Sequence, residues 1–381
     1  MPIEKGMEKG GINMRKILIL LSITVLLASV FIAGTIKIGV AFPMTGNIAA
    51  FGEMTLQGVK IAQTLYPEVL GEKIKLIVAD NRSDKTEAAN VVSRLIDYNH
   101  VAAIIGEIAS SHSLAGGAIA ERSHIPMLSP ASTNPLVTQG KHYIFRACFI
   151  DPFQGHVAAI FAYKNLKARK AVVFTDVVQD YSVGLSNFFI KDFVKMGGKV
   201  SREFYQSGDQ DFSAQLTDAL SKKPDVLYIP GYYPEIALMA RQARQLGYTG
   251  PILAGDGAEA PQLIKIGGSA VNGVYYTSHF NASHPFTAVG KKFVAKYEAV
   301  YKTSPSALAA LGFDSYLLLR DAIKRAGSVD PEKIAEALRK TKNFEGATGY
   351  ITIDKYGNTI KSAVVNEVKN GKFTYVTTIN P

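Results

Sequence analysis

Two stretches of sequence decide the fold: VAAIIGEIASS at residues 101–111 and IPMLSPASTNP at residues 125–135. Each begins with a short, continuous apolar run, which is typical of a strand buried on both faces of a parallel sheet. Each run leads into small hydroxyl residues where a helix is expected to begin, and Pro135 suits a first helical turn. The pattern predicts two neighbouring strand-to-helix turns in an α/β fold.

The two turns together predict a seat for an anion. A helix N-terminus presents free N–H groups and a partial positive charge, and both attract a negative group. Neither stretch contains Lys or Arg, so the pair suits a single small carboxylate. For one turn alone, the simpler interpretation is that Ser110 and Thr133 cap their own helices. The presence of two such turns favours a ligand site.

The rest of the chain alternates strands and helices in two halves. Strands at 36–42 and 73–79 precede the two turns, and the series begins again near Ala147–Asp151. Buried strands separated by helices imply right-handed crossovers and parallel sheets covered by helices. Ligands of such sheets bind at the carboxyl ends of the strands. Two lobes with short connections predict a jointed pair that closes on a cleft.

The C-terminal part changes character. Three helical segments are predicted at 286–301, 306–326 and 331–340, followed by β-strands near 350–353, 362–369 and 372–378. Asn370–Gly371 lies between the last two strands and is a strong signal for a two-residue hairpin turn.

Composition excludes several classes of function. Of 381 residues, 47% are apolar, which suits two to three packed domains. The net charge is +10, but Lys and Arg are scattered, so no nucleic-acid interface is predicted and we attribute the surplus to solubility. The single cysteine, Cys148, excludes an internal disulfide and a thiolate metal site. The histidines are dispersed, so neither a metal site nor a cofactor is predicted.

The N-terminus carries an export signal. Arg15–Lys16 precedes an uncharged apolar segment, Ile17–Gly34, as in secretory signals. Two interpretations of residues 1–34 stay open: Ala33–Gly34 offers a cleavage point for a signal peptide, whereas the length of the core suits a retained N-terminal anchor. The start codon is either Met1 or Met14. In each case the body of the protein is expected outside the cytoplasmic membrane.

The second half offers the chemical complement of the anion seat. Tyr181, Tyr232 and Tyr233 follow predicted strands, and Asp256 lies between two glycines after the strand at 251–254. An acid in a Gly-flanked turn is ordinarily turn chemistry. Beside a carboxylate seat in the first half, the same acid suits an ammonium group and the phenols suit a wall around it. The matching solute is a zwitterion.

A rival function, nucleotide binding by an α/β enzyme, has little sequence support. Residues 255–260 fit G-x-G-x-x-A once, but Pro261 follows and no ribose-binding acid lies at the usual spacing. No P-loop, G-x-S-x-G elbow or H-E-x-x-H motif occurs.

Three motifs resemble the branched-chain amino-acid binding proteins of ABC importers, which are type I periplasmic binding proteins. They are IGVAFPMTG at 38–46, SPASTNP at 129–135, and GYYPE at 231–235 followed by RQAR at 241–244. The resemblance covers residues 36–381 in order. It implies two doubly wound parallel-sheet lobes joined by three hinge crossings, near Ala147–Asp151, His279–Pro285 and Phe344–Tyr356. The implied lobes are residues 35–148 plus 282–350, which bind the carboxylate, and residues 149–281 plus 351–381.

The resemblance also implies roles for individual residues. The α-carboxylate is expected to bind Ser110 of the first quoted stretch and Thr133 of the SPASTNP turn, through their side chains and N–H groups. Ser132, in the same turn as Thr133, is also implied as a ligand-binding residue. The α-ammonium falls to the Ala131 carbonyl, the Thr133 hydroxyl and Asp256. Tyr181 and Tyr233 close over the ligand, and Phe51 contacts its side chain. The leucine-binding members carry Glu where this chain has Asp256, and the shorter acid leaves room for another amino acid or an amide.

We therefore expect an extracytoplasmic solute-binding protein without enzymatic activity. It captures a neutral, branched-chain or aliphatic amino acid by lobe closure and delivers it to the permease subunits of an ABC transporter. The expected state is a monomer, with contact to the membrane through that partner or through an uncleaved N-terminal segment. The alternative is a ligand-sensing domain for a signalling partner, because the same fold serves receptors.

Overall fold

The computed structural model describes residues 1–3 and 34–381, so the predicted export segment lies almost entirely outside the described residues. Within the described part of the chain, no helix has the length and apolar character needed to cross a membrane.

The elements follow the predicted alternation closely. Up to residue 146 they are β1 Thr35–Phe42, α1 Ala49–Leu65, β2 Glu68–Val69, β3 Glu72–Asp80, α2 Lys85–Asp97, β4 Ala103–Gly106, α3 Ser110–Arg122, β5 Met127–Ser129 and β6 Ile144–Arg146. Residues 151–278 form α4 Asp151–Ile160, β7 Lys170–Asp176, α5 Asp180–Lys195, β8 Lys199–Tyr205, α6 Ser213–Ser221, β9 Val226–Ile229, α7 Tyr233–Gln245, β10 Ile252–Ala254, α8 Pro261–Gly267 and β11 Val274–Ser278. The remainder forms α9 Ala288–Tyr301, α10 Ala307–Ala326, α11 Pro331–Arg339, β12 Phe344–Gly346, β13 Gly349–Ile353, β14 Thr359–Ile360, β15 Ala363–Lys369 and β16 Lys372–Ile379.

Each lobe is built on one twisted sheet. The first sheet has the order β2-β3-β1-β4-β5-β6 and the second the order β16-β15-β11-β10-β9-β7-β8. All pairings from β3 to β6 and from β8 to β11 are parallel, and antiparallel strands occur only at one edge of each sheet. The predicted fold class, two doubly wound α/β lobes of the type I periplasmic binding protein kind, is confirmed.

The strand order locates the crevice of each lobe. The chain leaves β1 toward β3 and returns to place β4 on the other side of β1; in the second lobe β8 and β9 flank β7 in the same way. Such switch points, at the carboxyl ends of the strands, are where open α/β sheets bind ligands. The loops after β1 and β4 and those after β7 and β9 are therefore the ones that reach a shared cleft.

Local chemistry explains several element ends. The Asp84 carboxylate accepts a hydrogen bond from the Glu87 N–H and caps α2, and Ser306 caps α10 through the Ala309 N–H. Asn370 and Gly371 both have positive φ, as a two-residue type I′ turn requires, and Lys369 pairs with Lys372. The predicted hairpin is confirmed.

The prediction of an α-helix after the second quoted stretch is wrong. Pro135–Val137 forms a single 3₁₀ turn, with Asn134 accepting from the Leu136 N–H, and the chain then continues to β6. A turn of three residues ends before backbone dipoles can add up along an axis. Only the first stretch therefore supplies a helix N-terminus.

The small β12-β13-β14 sheet bears on the position of the third crossing. Residues of the predicted Phe344–Tyr356 crossing belong to the small β12-β13-β14 sheet, and Gly357 accepts a hydrogen bond from the Arg146 N–H of β6. The Thr359 hydroxyl likewise donates to the Arg146 carbonyl. Because the chain enters the second sheet only at Ala363, we propose that residues 351–360 belong to lobe 1 and that the crossing lies at Lys361–Ser362.

Helices α1 and α10 pack against each other at backbone distance in the first lobe. A Cβ built on Gly58 of α1 would lie 1.8 Å from the Ala309 carbonyl oxygen of α10, and one built on Gly312 would lie 2.2 Å from the Thr55 carbonyl oxygen. Neither helix backbone can move without moving the loops that follow β1. This contact therefore fixes the wall of the cleft that carries Phe51.

We predict that Gly58→Ala lowers the free energy of unfolding by about 1–3 kcal/mol, the usual cost of overpacking a close contact. The matched control is Gly117→Ala on α3, where the nearest atom to an added Cβ is the flexible Met127 Cε at 3.2 Å. Urea unfolding of both variants provides the measurement. Equal stabilities of the two variants would contradict the close packing of α1 on α10.

Candidate functional site

The N-terminus of α3 is open toward the cleft. Ala109 is its N-cap residue and provides no side-chain cap, and Ser110 is the first helical residue. The Ser110 hydroxyl oxygen instead accepts a hydrogen bond from the Asn134 N–H at 3.2 Å. The interpretation of Ser110 as a cap of its own helix is therefore wrong. No side chain among the described residues caps the first turn of α3, whose N–H groups can serve an anion.

Buried serines join the two quoted turns. The Ser129 hydroxyl donates to the Glu107 carbonyl at 2.6 Å and accepts from the Ser132 N–H at 3.0 Å. The Ser132 hydroxyl donates to the Ile108 carbonyl at 2.8 Å. These bonds fix the positions of the loops after β4 and β5 relative to each other. Ser132 thus holds the site together through its side chain and does not line the cavity described below.

Thr133 lies behind this turn. Its side chain is buried. The fully buried Arg146 supports the same loop by donating to the Asn134 carbonyl at 2.9 Å and to the Thr138 hydroxyl at 3.1 Å. The buried Asp151 carboxyl adjoins the Thr133 hydroxyl: burial raises the pKa of Asp151 to about 8, and hydrogen bonding by Thr133 lowers it, so the protein itself offers Thr133 an acceptor.

Asp256 is the centre of the polar network in the second lobe. Its Oδ1 accepts from Gln154 Nε2 at 2.7 Å and from the Tyr181 hydroxyl at 2.8 Å, and its Oδ2 lies 3.0 Å from His279 Nε2. Burial lowers the pKa of His279, so the neutral ring donates through Nε2. His279 also stacks on Phe149, with ring centroids 3.7 Å apart. Phe149 and His279 both belong to segments predicted as hinge crossings, so the Asp256 carboxylate contacts the second of these segments.

Aromatic side chains span the cleft from both sides. The Tyr181 and Tyr232 rings stack at 5.4 Å, and Phe51 from the opposite lobe meets the Tyr232 ring edge-on at 5.7 Å and the Tyr233 ring at 5.2 Å. The Tyr233 hydroxyl donates to the Asn47 carbonyl at 2.8 Å, which is a second contact between the lobes. Tyr233 therefore bridges the lobes and does not line the cavity.

Further hydrogen bonds close the rim of the cleft. The Asp180 N–H donates to the Ser111 hydroxyl at 3.0 Å, and Asn134 Nδ2 donates to the Asp180 carbonyl at 2.7 Å. Both bonds join an end of α5 to the turns of the first lobe. With the contacts of Phe51 and Tyr233, they define a closed form of the two-lobed protein.

A small cavity of about 20 Å³ remains between the lobes. Its lining residues are Phe51, Ile108, Ala109, Ser110, Ala131, Tyr181, Tyr232, Asp256, Gly257 and Leu308. Five of the eight predicted site residues line it: Phe51, Ser110, Ala131, Tyr181 and Asp256. Ser132, Thr133 and Tyr233 lie beside it in the roles given above. Polar groups are confined to two opposite walls, one in each lobe, and the rest of the lining is apolar or aromatic.

Several residues of the site were missed by sequence reasoning. Leu308, from the start of α10, reaches the cavity from nearly 200 residues beyond Ser110, and no local pattern indicates this. Gln154 and His279 could have been suspected, since Gln154 lies just beyond one predicted crossing and His279 is the first residue of another. Ile108 and Ala109 belong to the first quoted stretch, but the chemistry of a helix N-terminus indicated only the hydroxyl residue beside them, Ser110.

Two parallel-sheet lobes, a closed cleft between their strand ends and polar groups on both walls define a two-lobed solute-binding protein. The chain belongs to the periplasmic binding protein family, whose sequence model matches residues 35–372.

Relatives of known name share most of the chain. A Leu/Ile/Val-binding protein, BraC3, of Rhizobium johnstonii is 30% identical over 85% of this chain and 88% of its own length. A leucine-, isoleucine-, valine-, threonine- and alanine-binding protein of Pseudomonas aeruginosa is 29% identical, covering 92% of this chain and 94% of its own.

Solved structures agree with this membership. The crystal structure of a leucine-binding protein, LivK, from Thermotoga maritima superposes with a TM-score of 0.90 at 60% identity, covering 91% of this chain and 99% of that one. The isoleucine complex of LivJ from Streptococcus pneumoniae superposes with a TM-score of 0.87 at 33% identity, covering 91% of this chain and 100% of that one. A benzoate-bound solute-binding protein from R. palustris, at 23% identity and a TM-score of 0.83, shares the fold.

The helix that opens the site also carries a buried histidine. His112 of α3 lies 3.4 Å from Asn81 Nδ2, and burial lowers its pKa to about 4. The unfolded chain binds a proton near pH 6.5, whereas the folded protein keeps this ring neutral until about pH 4. Acidification between these values therefore favours the unfolded chain.

We predict that the stability of the wild type, relative to His112→Asn, falls as the pH is lowered from 6.5 toward 4, by at most about 1.4 kcal/mol per pH unit. Urea unfolding at several pH values measures this difference. His100→Asn, at an exposed position, is the control. A pH-independent difference for His112→Asn would show that His112 is not held neutral.

Proposed function

We propose that this protein captures a neutral amino acid with a branched or otherwise aliphatic side chain and delivers it to an ABC transporter. One observation carries the proposal: the open N-terminus of α3 in one lobe and the Asp256 carboxylate in the other border the same closed cavity. A solute that satisfies both walls has a negative group and a positive group on one small molecule.

The wall in lobe 1 suits a carboxylate. The first-turn N–H groups of α3 have no side-chain partner in the described chain, the Thr133 hydroxyl lies beside the cavity, and no Lys or Arg lines it. Donors of this kind hold a carboxylate through hydrogen bonds and the helix dipole. A doubly charged anion such as phosphate would lack a countercharge here.

The wall in lobe 2 suits an ammonium group. A carboxylate has about four acceptor positions, and those of Asp256 receive donors from Gln154, Tyr181 and His279. One acceptor position is left for a ligand N–H, and the negative charge is available to a cation. The three protein donors hold the carboxylate still, which reduces the entropy lost on binding.

The remaining lining selects an apolar side chain of modest size. Ile108, Ala131 and Leu308 offer aliphatic contacts, and Phe51 and Tyr232 add aromatic faces. A charged side chain would lose its hydration there without a partner. The names of the relatives, which include Leu/Ile/Val-binding proteins, and the isoleucine complex of LivJ support an aliphatic amino acid.

Capture follows from contacts made by both lobes. A ligand that touches Ser110 and Asp256 together binds the closed form better than the open form and shifts the population toward closure. We further propose the permease subunits of an ABC transporter as partners of a monomer, a location outside the cytoplasm, and no catalytic step. Permease and ATPase genes beside this one would support transport, whereas a kinase or chemoreceptor gene would favour the sensing alternative.

We predict that Asp256→Ala weakens binding of the cognate amino acid by at least roughly 1.5–3 kcal/mol, the contribution of a charged hydrogen bond. Isothermal titration calorimetry measures the affinity. Asp97→Ala, at an exposed acid of lobe 1, is the control and leaves the affinity unchanged. Unchanged affinity in Asp256→Ala would remove this carboxylate from the site.

A thermal-shift screen of amino acids and short amides on residues 35–381 tests the ligand class. A ligand that binds only the folded protein raises the melting temperature more, the larger its concentration is relative to its Kd, so leucine, isoleucine or valine are expected to give the largest shifts at equal concentration. A shift with nucleotides and none with any amino acid would refute the proposed function.

A further inference from the structure

Glu259 is a buried acid that the proposed binding mode does not use. It lies three residues beyond Asp256, in the loop between β10 and α8, and is 6% exposed. Its Oε1 accepts a hydrogen bond from the Ala307 N–H at 2.6 Å, and its Oε2 is bonded to the Ser278 hydroxyl at 2.5 Å. Glu259 and Ser278 belong to the second sheet and its loops, whereas Ala307 is the first residue of α10 in lobe 1.

The bond to Ala307 completes the N-terminus of α10. The first four N–H groups of a helix lack partners within the helix, so a hydrogen-bond acceptor placed near them is stabilising. Ser306 serves the Ala309 N–H, but the first turn of α10 contains no acidic residue of its own. Glu259 supplies that acid from the other lobe. The neighbouring residue Leu308 lines the cavity, so this bond also fixes one wall of the binding site.

We propose that Glu259 is a positioning residue for lobe closure: in the closed form its carboxyl group caps α10 of the opposite lobe and thereby slows ligand release. This rests on the proposed function, because release is measured with an amino acid. The bridge lies on the hinge side of the cavity, next to Ser278 and the second crossing. The contacts of Phe51, Tyr233 and Asp180 close the cleft elsewhere.

The surroundings of Glu259 suit a group that works without a charge. Burial, above all, raises its pKa to about 7. The Ser278 hydroxyl has one proton and lies within reach of both Glu259 and the Phe280 carbonyl, the latter at 3.2 Å. A protonated Oε2 donates to Ser278, which then donates to Phe280, while Oε1 still accepts from Ala307. A glutamine can make the same set of bonds, with its amide N–H in place of the acid proton.

The test compares Glu259→Ala and Glu259→Gln with the wild type by stopped-flow release of L-leucine. We expect Glu259→Ala to release leucine about tenfold faster, with an association rate changed by less than about twofold, since contacts formed on closure act on dissociation. Glu259→Gln is expected to stay within about twofold of the wild type, because it keeps the acceptor for Ala307. Ser306→Ala, which removes the cap supplied within lobe 1, is the control: it lowers the melting temperature with and without leucine alike.

Two results would overturn the proposal. One is a release rate in Glu259→Ala equal to that of the wild type. The other is a decrease in melting temperature that is as large for ligand-free Glu259→Ala as for its leucine-bound form. That result would show that the bond between Glu259 and Ala307 is present in the open form as well as in the closed form.

Failure of the proposed function gives a different result. If the wild type binds no leucine, Glu259 is judged by single-molecule FRET on ligand-free protein labelled at cysteines introduced for the exposed Lys60 and Ala214, one in each lobe. Cys148 is fully buried and does not interfere with labelling. The bridge then predicts a smaller closed fraction in Glu259→Ala than in the wild type, and equal fractions would refute it.

Discussion

The position of the Asp256 carboxylate is the constraint on which the cleft depends. β10 lies in the middle of the second sheet, so the residue that follows it stands at the centre of the carboxyl edge. Its three hydrogen-bond partners come from α4, from α5 and from the second crossing. Because three hydrogen bonds fix the position of this carboxylate, it cannot move to meet a ligand bound elsewhere in the cleft. In the proposed binding mode, the solute brings its positive group to Asp256, and the opposite lobe receives what remains.

Lobe 1 meets this demand without using a side-chain cation. Its donors are the uncapped start of α3 and the hydroxyl of Thr133, kept in place by Ser129, Ser132 and the buried Arg146. Arg146 supports the loop from behind and uses its hydrogen bonds on backbone and hydroxyl oxygens, so it does not compete for the ligand. The charges in the cavity are thereby matched to a zwitterion and poorly matched to an anion or a cation alone.

Closure brings groups from both lobes into contact around the cavity. Ring contacts between Phe51 and the two tyrosines of lobe 2 bury apolar surface, while backbone-directed bonds from Tyr233, Asn134 and Glu259 fix the relative position of the lobes. The hinge takes part through His279, which joins the Asp256 carboxylate to the Phe149 ring. Ligand contact and hinge geometry are thus linked through two side chains.

The family resemblance, and not a local pattern, implied Phe51 and Ala131 of the cavity wall, whereas the sequence by itself determined the alternation of strands and helices, the two-lobed parallel architecture, the C-terminal hairpin and the candidates Ser110, Tyr181 and Asp256. These features depend on patterns within some ten to twenty residues, such as continuous apolar strands and Asn370–Gly371. The tertiary structure alone decided that Pro135 begins only a short turn, that Ser132 and Tyr233 serve as struts, and that Leu308, Gln154, His279 and Glu259 reach the site. Their roles depend on partners 20 to more than 200 residues distant. Such partners meet only because two sheets bring their strand ends together, and no local pattern encodes that meeting.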